Sequence, residues 1–263
     1  MVDFENKQSY DIYDLKKIIA LLCGPGGCPW DFEQTHESIR RNLLEEAYEA
    51  AEAIDDGDPE HLREELGDVL MQVVFHADIE EKSGSFSLDD IADEACRKLI
   101  RRHPHVFGDV VVRDSGDVLA NWDDIKREEK RHFGVSDSMN SVARSLPALW
   151  RAEKIQKKAA KAGFDWPTWE GAVEALQEEL SEFKSAIEAG NGIEQELGDL
   201  LFSAVNAARF FDLDPERALG LSSDKFISRF SRMEKAASEK GSGIGDMSLD
   251  EMEEIYRRVK LEE

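Results

Sequence analysis

Apolar residues recur along this chain at spacings of three and four, helix-forming residues dominate, and β-branched clusters are few. That periodicity predicts amphipathic helices nearly throughout. The one β-like run, Val110-Val111-Val112, is too short to build a sheet. The predicted fold class is therefore all-α.

The pattern also repeats. A glycine turn with a tryptophan three residues on, Gly27 to Trp30, returns as Gly163 to Trp166, each after a helical stretch. Glu45-Glu46-x-x-Glu49 returns as Glu178-Glu179-x-x-Glu182, and Glu65-Leu66-Gly67-Asp68 as Glu196-Leu197-Gly198-Asp199. Lys98 and Arg102 are answered by Lys225 and Arg229, and the pair Trp122 and Lys126 by Tyr256 and Lys260. Matches that keep their order are the mark of a duplicated unit. A stretch rich in Ser, Asp, Asn and Gly before Pro147 separates the halves. We expect two tandem helical bundles, residues 1–133 and 145–263, with a linker over 134–144.

Composition narrows the partners. An apolar fraction of 41% in 263 residues is ample for two cores. A net charge of −24 repels nucleic-acid backbones and anionic membranes. The N-terminal residues lack the basic-then-apolar order of a signal peptide, and no run of eighteen apolar residues occurs, so a soluble cytoplasmic protein is expected. Cys23, Cys28 and Cys96 are odd in number and lack a partner pair at zinc spacing, which reads as reduced thiols.

Residues three and four apart on a helix share a face, so Glu179 points with Glu182, and Glu196 with Asp199. If the two helices pack, four carboxylates converge; Glu46, Glu49, Glu65 and Asp68 do the same in the first half. The plain alternative is a set of solvated acids on an acidic protein. Against it, Glu196, Asp199, Ser203 and Asn206 form a polar stripe on an otherwise apolar helix, as in helices that line a site. Converging carboxylates in a low dielectric need a counter-ion, and an all-oxygen set selects Mg²⁺ or Mn²⁺. A di-iron bundle needs Glu-x-x-His on two helices; Glu33-x-x-His36 has that spacing and the second half has no counterpart. Mg²⁺ binds through carboxylates together with substrate phosphates, and Lys225, Arg229 and Lys260 are placed to neutralise such phosphates.

These residues closely resemble the MazG family, marked by E-E-x-x-E followed by E-x-x-D. The resemblance covers almost the whole chain and includes Cys28-Pro-Trp-Asp31, Gln34-Thr-His36, Arg102-His-Pro-His-Val-Phe107, Leu146-Pro-Ala148 and Gly163-Phe-Asp-Trp166. It implies a homodimer of helical bundles that hydrolyses nucleoside triphosphates, NTPs and dNTPs, to monophosphate and pyrophosphate, in nucleotide-pool control or sanitation. On that footing Glu179, Glu182, Glu196 and Asp199 hold Mg²⁺ or Mn²⁺, Lys225, Arg229 and Lys260 clamp the triphosphate, and Glu178 helps to orient or deprotonate the water.

The halves diverge after the motif. Asn206 faces Phe75 in the first copy and Arg209 faces Asp78, so the second copy is expected to carry most of the activity, with Asn206 and Arg209 as ligand contacts. The resemblance points the same way, since tandem members rely on the C-terminal copy. Tyr256 stands where the family commonly has tryptophan, and it can stack or donate a hydrogen bond. Trp30 and Trp166 read as anchors at bundle ends; His103 and His105 read equally as helix-end caps or phosphate contacts. Two rivals remain open: a phosphohydrolase that releases orthophosphate, and a non-enzymatic helical module whose acidic faces bind a partner or buffer metal.

Overall fold

The computed structural model of the chain describes residues 4–114, 116–118, 121–122, 125, 134–239 and 243–261. Lys126, paired above with Trp122, lies outside them. Among the described residues there is no strand, Val110 to Val112 included. The chain divides into two compact units, Met1–Lys126 and Arg127–Glu263.

The first unit is built on a helical hairpin. Helices α1 (Ile12–Leu22) and α2 (Pro29–Phe32) precede its two long arms, α3 (His36–Asp56) and α4 (Pro59–Ser83), which pack along each other. Thr35 caps α3 by accepting from the Ser38 N–H while the Ser38 hydroxyl reaches back, which fixes where the helix begins. Gly57 ends it in the left-handed region at φ 68°, Asp58 caps the next helix and Pro59 opens it. The reversal is thus written in three consecutive residues. Helix α1 packs on α4 over a core of Ile19, Cys23, Ile39, Val74 and Phe75. Two further helices follow, α5 (Leu88–Arg102) and α6 (Pro104–Phe107).

The second unit repeats the hairpin. Short α7 (Val135–Asn140) packs on α8 (Ala148–Lys161), and Lys158 Nζ donates to Ser138 Oγ at 2.6 Å. This helix occupies the segment expected to be a linker. The hairpin arms are α9 (Trp169–Ala189) and α10 (Ile193–Arg209), reversed through Gly190 and Gly192 at φ 66° and 73°. Helix α11 (Pro215–Glu239) packs on α12 (Leu249–Leu261), on the 3-10 turn Ile244–Asp246 and on α8, locked by Met233, Ile255 and Val259. Helix α8 also packs on α10, where Gln156 Nε2 donates to the Phe202 carbonyl at 2.8 Å. Cys23, Cys28 and Cys96 are free thiols. No helix among the described residues is long and apolar enough to cross a membrane.

Candidate metal centres on two helical hairpins

Each hairpin brings acids of its two arms together. In the second unit Glu179 of α9 meets Glu196 and Asp199 of α10, each offering an oxygen within 4.8 Å of the others. In the first unit Glu46 and Glu49 of α3 meet Glu65 of α4 by the same measure. Glu182 and Asp68 stand outside these tight sets, yet each is near enough to act electrostatically on the central glutamate. Glu178, one residue before Glu179, is exposed and adds to the same field.

The electrostatics match a site built for a cation. Partial burial raises the Glu179 carboxyl above its ordinary value, and Glu182, Asp199, Glu196 and Glu178 push it the same way. Glu46 is raised first by burial, then by Asp68, Glu49 and Glu65. Glu65 is 8% exposed; its Oε1 pairs with His61 Nε2 at 3.2 Å while its buried Oε2 has no hydrogen-bond partner. A buried carboxylate oxygen with no donor, facing two further acids, is what a hard divalent ion satisfies. The donor set therefore fits a hard divalent cation.

The two centres differ in enclosure. Glu65 is buried and Asp68 half-buried, whereas Glu196 is half-buried and Asp199 exposed. His61 was missed in the sequence; its signal was the four-residue step to Glu65, and Gly192 takes its place in the second copy.

The cations of the second unit fall elsewhere. Lys225 and Arg229 lie on α11, Tyr256 and Lys260 on α12, and those two helices pack on each other. Arg229 Nη1 donates to Tyr256 Oη at 3.4 Å and its guanidinium lies 5.8 Å from that ring. Lys225 and Lys260 are exposed. Asn206 and Arg209 stand at the end of α10, about 10 and 15 Å along the axis from Asp199 at 1.5 Å per residue. Arg209 donates through Nη1 to Asp165 Oδ2 at 3.0 Å and pairs through Nη2 with Oδ1 of the same residue, while Asn206 Oδ1 accepts from Arg209 Nη2 at 2.9 Å. These two side chains thus hold the turn before Trp166 against α10. The first copy ties the corresponding places differently: Lys82, bridged to Asp78 at 2.6 Å, donates to the Cys23 carbonyl at 2.7 Å, and Phe75 joins the core.

Of the remaining residues, Trp30 and Trp166 are both about half exposed. His103 ends α5, where its ring Nδ1 donates to the Leu99 carbonyl at 2.6 Å, and it meets the Trp122 ring edge-on at 5.3 Å. Its position is that of a helix cap.

Fold and site together define a class: tandem all-α hairpins, each carrying a carboxylate cluster suited to a divalent cation. The MazG nucleotide pyrophosphohydrolase domain matches the chain twice, over residues 34–107 and 168–233. Curated relatives extend this over most of the chain. The nucleoside triphosphate pyrophosphohydrolase/pyrophosphatase MazG of Thermotoga maritima is 42% identical over 94% of each chain. The nucleoside triphosphate pyrophosphohydrolase of Escherichia coli is 42% identical over 90% of this chain and 92% of its own. The uncharacterized protein YabN of Bacillus subtilis is 47% identical over 95% of this chain, which spans about half of that longer protein (52%). This chain belongs to the MazG family.

Proposed function

We propose that the protein hydrolyses nucleoside triphosphates, NTPs and dNTPs, to the monophosphate and pyrophosphate with Mg²⁺ or Mn²⁺, in control or sanitation of the nucleotide pool. The observation that carries this reading is the convergence of Glu179, Glu196 and Asp199 from two helix arms, repeated as Glu46, Glu49 and Glu65 in the first unit. The names of the relatives from Thermotoga maritima and Escherichia coli support the reaction.

In this reading Glu179, Glu182, Glu196 and Asp199 hold the ion, as do Glu46, Glu49, Glu65 and Asp68 in the first copy. When bound, the ion offsets phosphate charge and lowers the pKa of a nearby water. Lys225, Arg229 and Lys260 bind phosphate oxygens, the arginine as a fork that Tyr256 steadies from one side. Glu178 takes the proton of the attacking water as its oxygen joins the α-phosphorus and the bond to pyrophosphate breaks. The second unit carries most of the turnover, since Asn206 and Arg209 are replaced by Phe75 and Asp78 in the first copy. The enclosed carboxylates of the first unit favour holding an ion there.

The chain works as a cytoplasmic homodimer. Leu180, Leu197, Leu201 and Phe202 on the second hairpin, and Phe226 and Ile227 on α11, are each 42–62% exposed. Exposed apolar side chains grouped on a helical hairpin are what a subunit interface covers. Sedimentation equilibrium reads this directly, with a monomer mass counting against it.

Phosphorus NMR with mixed NTPs and dNTPs tests the reaction. Monophosphate with pyrophosphate, abolished by EDTA, is the expected result. Orthophosphate with diphosphate would indicate the rival phosphohydrolase, and metal binding without turnover the interaction module.

A further inference from the structure

Away from the carboxylate hairpins, Arg232 and Lys235 of α11 and Arg258 of α12 line one cavity of about 430 Å³ with Ala236, Glu239 and Val259. Three cations face one carboxylate there, in a chain whose net charge is −24. Among the described residues Lys235 and Arg258 have no ion-pair partner, although acids outnumber bases 57 to 33 along the chain. Like charges held close repel even where water screens them, and a bound anion relieves that repulsion. Their spacing is fixed from below, because Val259 at 3% exposure and Met233 at 4% pack between the two helices.

The cavity begins about one helical turn beyond Arg229, whose guanidinium meets Tyr256 two residues before Arg258. Arg229, Arg232 and Lys235 follow one another at three-residue steps, so cationic character continues from the proposed triphosphate grip into the cavity. Two guanidiniums and an ammonium suit the bidentate and point contacts of a short phosphate chain.

We propose that this cavity is an accessory binding site for a polyphosphate anion, filled either by released pyrophosphate or by the terminal phosphates of a longer nucleotide. The site itself follows from the cavity; only the source of its ligand rests on the hydrolase reading.

Calorimetric titration with sodium pyrophosphate in EDTA, on the full chain and its Lys235→Gln/Arg258→Gln variant, tests it. Both side chains are exposed, so the variant keeps its thermal midpoint. Loss of two charge-assisted contacts weakens pyrophosphate binding about tenfold or more. Equal affinity in the two proteins, or no binding to the parent chain, overturns the proposal. With Mg²⁺ present, relief of pyrophosphate inhibition in the variant identifies the released product as the ligand. A selective fall in turnover of a nucleoside tetraphosphate against the triphosphate identifies the longer chain. If neither protein turns over nucleotides, the hydrolase reading fails while the titration still decides the site.

Discussion

Arg209 grips Asp165 with both terminal nitrogens of its guanidinium, and only 11% of its side chain is exposed. A residue expected to meet substrate is thus committed to a neighbouring turn, with Asn206 completing the bond set.

Arg209→Gln and Asp165→Asn should each lower stability by about 2 kcal/mol, and the double variant should cost little more than either alone. Denaturant melts read the coupling. A rise in KM with Arg209→Gln that Asp165→Asn does not reproduce would restore Arg209 to the ligand site.

Removing a carboxylate from the second cluster should stop the chemistry. Glu179→Gln is expected to cost about 100-fold in kcat with the helix content unchanged. The division of labour between copies follows from Glu182→Ala and Glu49→Ala: intact turnover in the former with loss in the latter would move the active centre to the first unit.

The raised carboxyls of Glu46 and Glu179 fix a sign for pH dependence. Between the ordinary value and the raised one the folded protein binds more protons than the unfolded chain, so the metal-free protein gains stability as pH falls through that window. Protons and ion compete for the same oxygens. The rise in Tm produced by Mg²⁺ near neutral pH should therefore shrink through the same window, as differential scanning calorimetry at stepped pH would record.

His76 gives the opposite slope. Its ring stacks on His36 at 5.0 Å, the two Nδ1 atoms lie 2.7 Å apart, and His36 Nε2 meets Glu80 at 2.7 Å. Burial, then His36, lowers its pKa from 6.5. Acidification through the ordinary value protonates the unfolded chain first, so stability falls below about pH 6.5. Protonating both rings would also set two N–H groups against each other. His76→Phe should flatten this part of the profile; an unaltered slope would show that other groups set it.

The repeat, the helices and both acidic motifs were readable because helix periodicity and capping are local properties. Thr35 with Ser38, and Gly57-Asp58-Pro59, state a start and a reversal within a few residues. Spacing of three also put Glu196 with Asp199 correctly. It placed Asn206 on the same stripe, since a helical wheel records direction and ignores the distance along the axis.

An all-α chain of two copies, with an acidic motif in each, was legible from residues within one or two helical turns of one another. It took the packing of helix on helix to bury Glu65 with one oxygen lacking a donor, to set Asp165 against Arg209, and to bring Arg232, Lys235 and Arg258 to one cavity. Burial and long-range pairing depend on which helix faces lie against each other. That is a property of the folded backbone, for which the spacing of residues along one helix carries no information.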